Sequence, residues 1–178
     1  MPTDIDDSPD DFGEGNGYDD GYGTATAQRQ SWPTLRQFCV FLENRVGKLQ
    51  QLLRCVERHD LRVVALSMVD TVDFAIARVM VDDADRAREI FELAGFTALE
   101  NDVVGVVLPD DPQPYLRICL CLLAAEMNIH YTYPLNFRWN GHGVIALHLE
   151  DVDQAMKVLE DRGFQIVSES DLRDDPFG

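Results

Sequence analysis

The first part of the chain to carry a regular hydrophobic pattern lies between residues 37 and 94. An apolar run at 37–42 leads through a polar turn into apolar residues spaced i, i+3, i+4 and i+7, which predicts a helix over 47–59. Apolar stretches at 61–68 and 74–81 predict two strands around a short turn. The helical spacing returns at 83–94, and a last short strand is expected at about 96–100. The predicted order is therefore β-α-β-β-α-β.

The same pattern occurs a second time, which is the strongest signal in the sequence. An offset of 66 residues carries Leu49 and Leu52 onto Tyr115 and Ile118, and an offset of 68 carries Gly95 onto Gly163. The same elements in the same order, with one small insertion, indicate an internal repeat. Strands are predicted at 103–108, 128–138, 142–149 and 164–168, and helices at 114–126 and 151–162.

Two such units predict an α+β protein made of two ferredoxin-like βαββαβ repeats. Each repeat should form an antiparallel sheet with its helices on one face. Copies of about 65 residues are small for independent stability, so we expect the sheets to pair side by side and cover their edge strands. The predicted divisions are an N-terminal tail (1–33), repeat 1 (34–101), repeat 2 (102–172) and a frayed C-terminus (173–178), with fraying expected from Leu172 onward.

The N-terminal tail is acidic and almost without aliphatic residues. Residues 1–33 hold eight acidic side chains and one basic one, Arg29. Such a segment buries too little apolar surface to offset its ordering entropy, so we predict disorder. A docking tail, with Phe12, Tyr18 and Tyr22 as its contact points, is the functional alternative. The rest of the chain still holds 24 acidic and 14 basic residues. This charge argues against nucleic acid or an anionic membrane as partner.

Other features narrow the function class. Four cysteines lie in apolar elements without a CxxC pair, and neither a signal peptide nor a membrane span is visible, so we expect a cytoplasmic protein with reduced thiols. His142 and His148 lie about 20 Å apart on one strand and cannot share a metal. We find no nucleophile elbow, P-loop or dinucleotide motif. The sequence therefore predicts no enzyme, no metal and no cofactor.

The helix predicted at 114–126 is apolar on nearly all sides. Leu116, Leu120 and Leu123 lie off the stripe that faces the core. A helix of this kind usually packs on two sides. We expect its second face to contact the other repeat or another subunit, and this favours a homodimer.

The polar turn at 44–48 comes directly before the first helix. Gly47 stands at the helix start, where the first N–H groups lack internal partners and carry partial positive charge. A glycine lets a ligand approach the backbone closely, so a small carboxylate fits here. The alternative is that Gly47 only makes the turn.

The repeats resemble a tandem pair of ACT domains, the small amino-acid-binding regulatory modules of metabolic enzymes. The segments that carry the resemblance are 43–49 (ENRVGKL), 61–67 (LRVVALS) and 127–133 (MNIHYTY), with both Asp…Ala…Gly-Phe segments. No catalytic domain accompanies them, so the chain is similar to the free-standing, two-copy members. In that family a ligand lies between paired domains, held by the first loop of one domain and the second strand of its neighbour.

The resemblance implies one composite site. Repeat 1 has the loop that better matches the family, with Asn44 and Gly47, whereas repeat 2 has Asp110 and Pro112 with Gln113 in place of the glycine. The second-strand asparagine shows the reverse, because repeat 2 has Asn128 where repeat 1 has Arg62. The expected ligand-binding residues are Asn44, Arg45, Val46, Gly47 and Lys48 of repeat 1, facing Asn128, Ile129 and Tyr131 of repeat 2. The alternative for Asn128 is a solvent-facing strand end.

Two functions therefore remain open. The first is a regulatory sensor that binds an amino acid or related metabolite and acts on its own oligomer or on a metabolic enzyme. The second is a ligand-free oligomerisation or interaction scaffold whose acidic tail docks a partner. Saturable binding of an amino acid distinguishes the two.

Overall fold

The computed structural model describes residues 32–70 and 74–174. The tail that is predicted to be disordered lies outside these residues, apart from Trp32 and Pro33. Repeat 1 comprises β1 (Leu35–Glu43), α1 (Lys48–Arg58), β2 (Val63–Asp70), β3 (Phe74–Val81) and α2 (Ala84–Leu93). The two repeats share β4 (Thr97–Val107). Repeat 2 continues with α3 (Pro114–Ala124), β5 (Ile129–Trp139), β6 (His142–Leu149), α4 (Val152–Asp161), β7 (Ile166–Val167) and α5 (Glu169–Arg173).

The sheet confirms the tandem ferredoxin-like fold. Its strand order is β2-β3-β1-β4-β6-β5, with β7 paired to β4, and every pairing is antiparallel. Repeat 1 thus reads β2-β3-β1-β4 and repeat 2 reads β5-β6-β4-β7, which is the same order twice. The repeats lie side by side in one continuous sheet, as predicted.

One long strand joins the repeats, where the sequence predicts two strands separated by the polar residues Asn101 and Asp102. Residues 97–103 of β4 pair with β1, and residues 104–107 pair with β6. The polar residues continue the strand because their side chains have partners. Asn101 donates to Cys39 Sγ at 3.4 Å, and Asp102 accepts from Thr34 Oγ1 at 3.2 Å. The expected gap between the strands is therefore absent.

The buried side chains form three clusters. Phe38, Val40 and neighbours pack under α1 and α2, and Val104, Val106 and neighbours pack under α3 and α4. These even-numbered residues lie on one face of β1 and β4, so the helices of both repeats cover the same face of the sheet. The third cluster lies on the opposite face, where residues of both repeats meet. Its members include Leu35, Val64 and Met80 from repeat 1 and Leu135, Phe137 and Val144 from repeat 2.

The third cluster requires the sheet to curl. Strands β2 and β5, which end the strand order, contact each other across this cluster. Both have a register shift, between Val63 and Ala65 in β2 and between Pro134 and Arg138 in β5. Bulges of this kind bend a strand and increase its twist. The curled sheet brings its two edges together and buries a face that would otherwise be solvated.

The C-terminal segment is fixed up to residue 174, so the prediction of fraying from Leu172 is wrong for that residue. Leu172 is 2% exposed and belongs to the cluster between the repeats. Ser168 and Asp171 form a capping box at the start of α5. Glu169 accepts from Arg36 of repeat 1 through both carboxylate oxygens, at 2.7 and 2.8 Å. The segment therefore ties repeat 2 back to β1.

Candidate ligand site

The loop before α1 leaves a helix N-terminus open. Gly47 is the N-cap residue in the left-handed conformation (φ +95°), and no side chain caps the helix. The first helical bond runs from Gln51 N–H to the Gly47 carbonyl at 2.9 Å, so the N–H groups of Leu49 and Gln50 have no partner within the helix. A Cβ at Gly47 would meet nothing within 4 Å. The glycine is therefore required by backbone conformation, and open space adjoins it.

The charges around this loop favour an anion. The first turn of α1 contains no acidic residue. Arg45 and Lys48 each lie 3.6 Å from Glu43, at the long end of an ion pair, and all three side chains are at least a third exposed. Such pairs are weak and are screened by solvent. Val46 is fully exposed, so no part of the chain within residues 32–70 and 74–174 covers its side chain.

The equivalent loop of repeat 2 carries a carboxylate that the loop of repeat 1 lacks. Asp111 occupies the position of Arg45, accepts a hydrogen bond from Gln113 N–H at 2.9 Å and pairs with Arg117 at 3.3 Å. Gln113, the N-cap residue, has φ −132° and does not need a glycine. A carboxylate of the protein thus lies beside the start of α3, although no side chain caps that helix either. That repeat 1 has the better loop stays a prediction.

The predicted composite site is not formed within one chain. Ile129 of β5 pairs with Leu149 of β6. The register of β6 with β4, followed by that of β4 with β1, places Leu149 level with Arg36 near the start of β1. Asn44 lies eight residues further along, roughly 26 Å at strand spacing. Asn128 is exposed at the start of β5 and Ile129 packs against the core under α3 and α4. The alternative reading of Asn128, a solvent-facing strand end, fits this position.

Tyr131 lies between the repeats and not beside the loop. The fully buried Gln37 of β1 donates from Nε2 to Tyr131 Oη at 2.8 Å, and Tyr133 Oη donates to Gln37 Oε1 at 2.5 Å. Burial raises the pKa of Tyr133 well above its usual value, so the phenol stays protonated and can donate. Sequence reasoning missed Gln37. The signal was present, because its repeat equivalent is the apolar Val103.

Cationic and aromatic groups adjoin this network. The guanidinium of Arg78 lies 3.9 Å above the centre of the Tyr131 ring, and His148 stacks on the same tyrosine with ring centres 4.7 Å apart. Arg78 Nε and His148 Nδ1 are buried, and neither has a hydrogen-bond partner among the residues that the structure describes. Burial, together with the nearby His130 and Arg78, lowers the pKa of His148. The neutral imidazole is therefore the favoured form at the seam between the repeats.

Among residues 32–70 and 74–174, no group of three His, Cys, Asp or Glu side chains is arranged to hold a metal ion. Within the same residues, no helix has the length and hydropathy needed to cross a membrane.

Comparison with known proteins assigns the family. The model of the ACT domain pair matches residues 33–175, which is most of the chain and spans both repeats. The chain belongs to the ACT domain pair family. ACT domains are regulatory, ligand-binding modules, so the family indicates a regulatory role and leaves the ligand open. No curated protein matches the chain in sequence.

Solved structures agree with the fold. Protein BT0572 from Bacteroides thetaiotaomicron is 26% identical, with a TM-score of 0.73, over 80% of this chain and 97% of that one. The ligand-free regulatory subunit of aspartate kinase from Thermus thermophilus is 13% identical, with a TM-score of 0.51, over 75% of this chain and 95% of that subunit. At 13% identity the likeness to the aspartate kinase subunit concerns the fold alone.

Proposed function

We propose that this ACT domain pair is a non-catalytic regulatory protein that binds a small amino acid at the loop before α1. The observation that carries the proposal is the uncapped N-terminus of α1, which adjoins open space at Gly47. The N–H groups of Leu49 and Gln50 would bind the ligand carboxylate, and the helix dipole favours its charge. Asn44 would accept a hydrogen bond from the ammonium group.

A second copy of the chain would supply the other wall of the site. The described residues of one chain leave the loop open, and the sheet face that leads to it exposes apolar side chains. Phe41, Phe74 and Leu99 lie on the face opposite the helices and are 37, 44 and 57% exposed. Exposed apolar groups clustered on one face are typical of an interaction surface. We therefore propose a homodimer through this face, whose ligand-bound geometry is transmitted to a metabolic enzyme.

The alternative function is a scaffold that dimerises without a ligand. The same exposed face favours it, because burial of these three side chains needs no bound molecule. We place either form of the protein in the cytoplasm, since the four cysteines are free and reduced thiols suit that compartment.

The test is a thermal-shift panel of the twenty amino acids on the full chain, followed by calorimetry and by sedimentation with and without each amino acid that binds. A ligand at about 100 times its Kd stabilises by roughly 2.7 kcal/mol. For a chain of this size, that raises the melting temperature by roughly 5–10 °C. If no amino acid shifts the melting temperature and the chain still dimerises, the scaffold is the better description.

Two pairs of variants locate the site. Arg45→Asp gives repeat 1 the carboxylate that repeat 2 has at Asp111 and should abolish ligand binding. Arg54→Asp makes the same charge change on α1, away from the loop, and should leave ligand binding intact. Gly47→Val places a branched side chain at the loop, and Gly95→Val imposes the same kind of backbone strain at φ +76° away from it. Binding that survives both Arg45→Asp and Gly47→Val would contradict the proposed site.

A further inference from the structure

The two repeats contain equivalent grooves on their helical layer. One groove, of about 420 Å³, follows the outer side of α3 in repeat 2, and a second, of about 510 Å³, follows the outer side of α1 in repeat 1. The residues that line them correspond by the repeat offsets. The matched positions are Leu116 with Gln50, Leu120 with Arg54, Ala124 with Arg58, and Phe164 with Phe96. The fold therefore makes the groove twice, and the side chains alone distinguish the copies.

The groove of repeat 2 has an apolar lining exposed to solvent. Leu116 and Leu120 are 48 and 56% exposed, and Leu123, one turn beyond on the same helix, is 55% exposed. The expected contact was with the other repeat or another subunit, and no described residue of either repeat covers this face, so the first of these two contacts is absent. The equivalent positions of repeat 1 are polar or basic and need no cover. Apolar area left in water is unfavourable by roughly 25 cal/mol per Å², so an occupant stabilises repeat 2 but not repeat 1.

Two guanidinium groups line the groove beside one carboxylate, that of Asp111. Arg117 lies 5.7 Å above the centre of the Phe164 ring and pairs with Asp111 at 3.3 Å. Arg162 is exposed, and no ion pair to it is found within the residues that the structure describes. The groove thus suits an occupant in which aromatic or aliphatic groups alternate with carboxylates.

The chain itself carries such a segment. Residues 1–31 precede the described part and hold eight acidic residues against one basic residue. Their aromatic residues adjoin carboxylates in the sequences Asp11-Phe12-Gly13-Glu14 and Tyr18-Asp19-Asp20. Most of the protein surface repels this segment electrostatically, because the remainder of the chain is also acidic.

The point where the segment joins the described part favours repeat 2. Trp32 is half-buried and packs against the cluster under α3 and α4, not against that of repeat 1. At up to about 3.4 Å per residue, the preceding residues span as much as about 100 Å, more than enough to reach the groove from Trp32. An intramolecular partner is present at millimolar effective concentration, so a few contacts suffice. We propose that the acidic segment 1–31 binds in the groove of repeat 2, with aromatic side chains against Leu116 and Leu120 and carboxylates beside Arg162 and Arg117.

Photo-crosslinking in the full chain tests this contact. A benzophenone amino acid replaces Leu120, and in the matched variant it replaces Arg54, the equivalent position of repeat 1. Irradiation of a mixture of isotopically light and heavy chains, followed by peptide mass spectrometry, separates contacts within a chain from contacts between chains. We expect cross-links from position 120 to residues 1–31 of the same chain, at least fivefold more than from position 54.

Other outcomes would overturn the proposal. Cross-links from position 120 mainly to α3 of a second chain would make this face a dimer interface. Equal cross-linking to the segment from positions 54 and 120 would mean that the segment has no preferred groove, and absence of cross-links to it would exclude the contact. The combined change Phe12→Ser, Tyr18→Ser and Tyr22→Ser removes aromatic side chains from the segment and alters none of the described residues. It should reduce the cross-link severalfold, and an unchanged yield would contradict the proposed chemistry.

Discussion

The two repeats share the order of their elements and the cap of the second helix, and they differ at the first helix. The second helix begins alike in both, since Asp83 accepts from Arg86 N–H at 3.1 Å and its equivalent Asp151 accepts from Gln154 N–H at 2.9 Å. The first helices differ at both the start and the outer face. Helix α1 begins at an uncapped glycine and exposes polar residues, whereas α3 begins beside a carboxylate and exposes leucines.

This difference shows which constraints act on both copies. Caps and core positions depend only on the local fold, so both repeats need them. The N-terminus of the first helix and its outer face are not needed for folding and are open to ligand or partner. The ligand site proposed for repeat 1 and the segment contact proposed for repeat 2 rest on this difference. The following changes test the comparison between the repeats from the largest effect to the smallest.

The largest effect is expected at Gly105, the equivalent of Cys39. In repeat 1 the cysteine side chain fits, but a Cβ at Gly105 would lie 2.5 Å from Val167 Cγ2 and 2.6 Å from Leu35 Cδ1. Gly105→Cys should therefore lower the free energy of unfolding by about 2–3 kcal/mol. This corresponds to roughly 4–12 °C in melting temperature, measured by calorimetry or urea unfolding. Gly143→Ala, whose Cβ meets only Leu108 Cδ1 at 3.3 Å, is the control and should cost far less.

A smaller effect is expected at Gln37, the equivalent of Val103. Gln37→Val gives repeat 1 the residue of repeat 2 and leaves the hydroxyl groups of Tyr131 and Tyr133 without their amide partner. The loss should be about 2 kcal/mol in urea unfolding. If the hydrogen bonds are responsible, the combined variant with Tyr131→Phe and Tyr133→Phe should lose less than the sum of the separate changes. Strict additivity would contradict this explanation.

The smallest effect concerns pH and His148, the equivalent of Met80. The pKa of His148 is lowered in the folded state, so below its ordinary value of about 6.5 the unfolded chain binds more protons. Stability should therefore fall as the pH drops from 6.5 toward the lowered folded pKa. Because the ring is partly exposed, we expect only a few tenths of a kcal/mol. His148→Met should flatten this part of the stability profile relative to the unchanged chain. Equal slopes for the variant and the unchanged chain would contradict the assignment.

Local patterns determined most of the fold. The helical spacing of Leu52 and Val56 placed them in the core of repeat 1, and the offset match placed Ile118 and Leu122 in the core of repeat 2. The repeat also predicted the ferredoxin-like order and the side-by-side sheets. These features follow from periodicity, because each element must bury one face whatever its neighbours are. The acidic composition and the leucines on the outer face of α3 were likewise visible in the sequence. The sequence did not show what covers those leucines.

Tertiary structure decided the features that depend on contacts between repeats. Asn101 and Asp102 suggest a break, yet β4 runs through them because Cys39 of β1 and Thr34, the residue before β1, supply partners. Curling of the sheet buries a face that alternation alone would leave solvated, and it carries Tyr131 to Gln37 and away from the loop at Gly47. The sequence by itself therefore determined the elements and their duplication. Which side chains meet across the seam was decided by sheet register and curvature, which depend on long-range packing that no local pattern encodes.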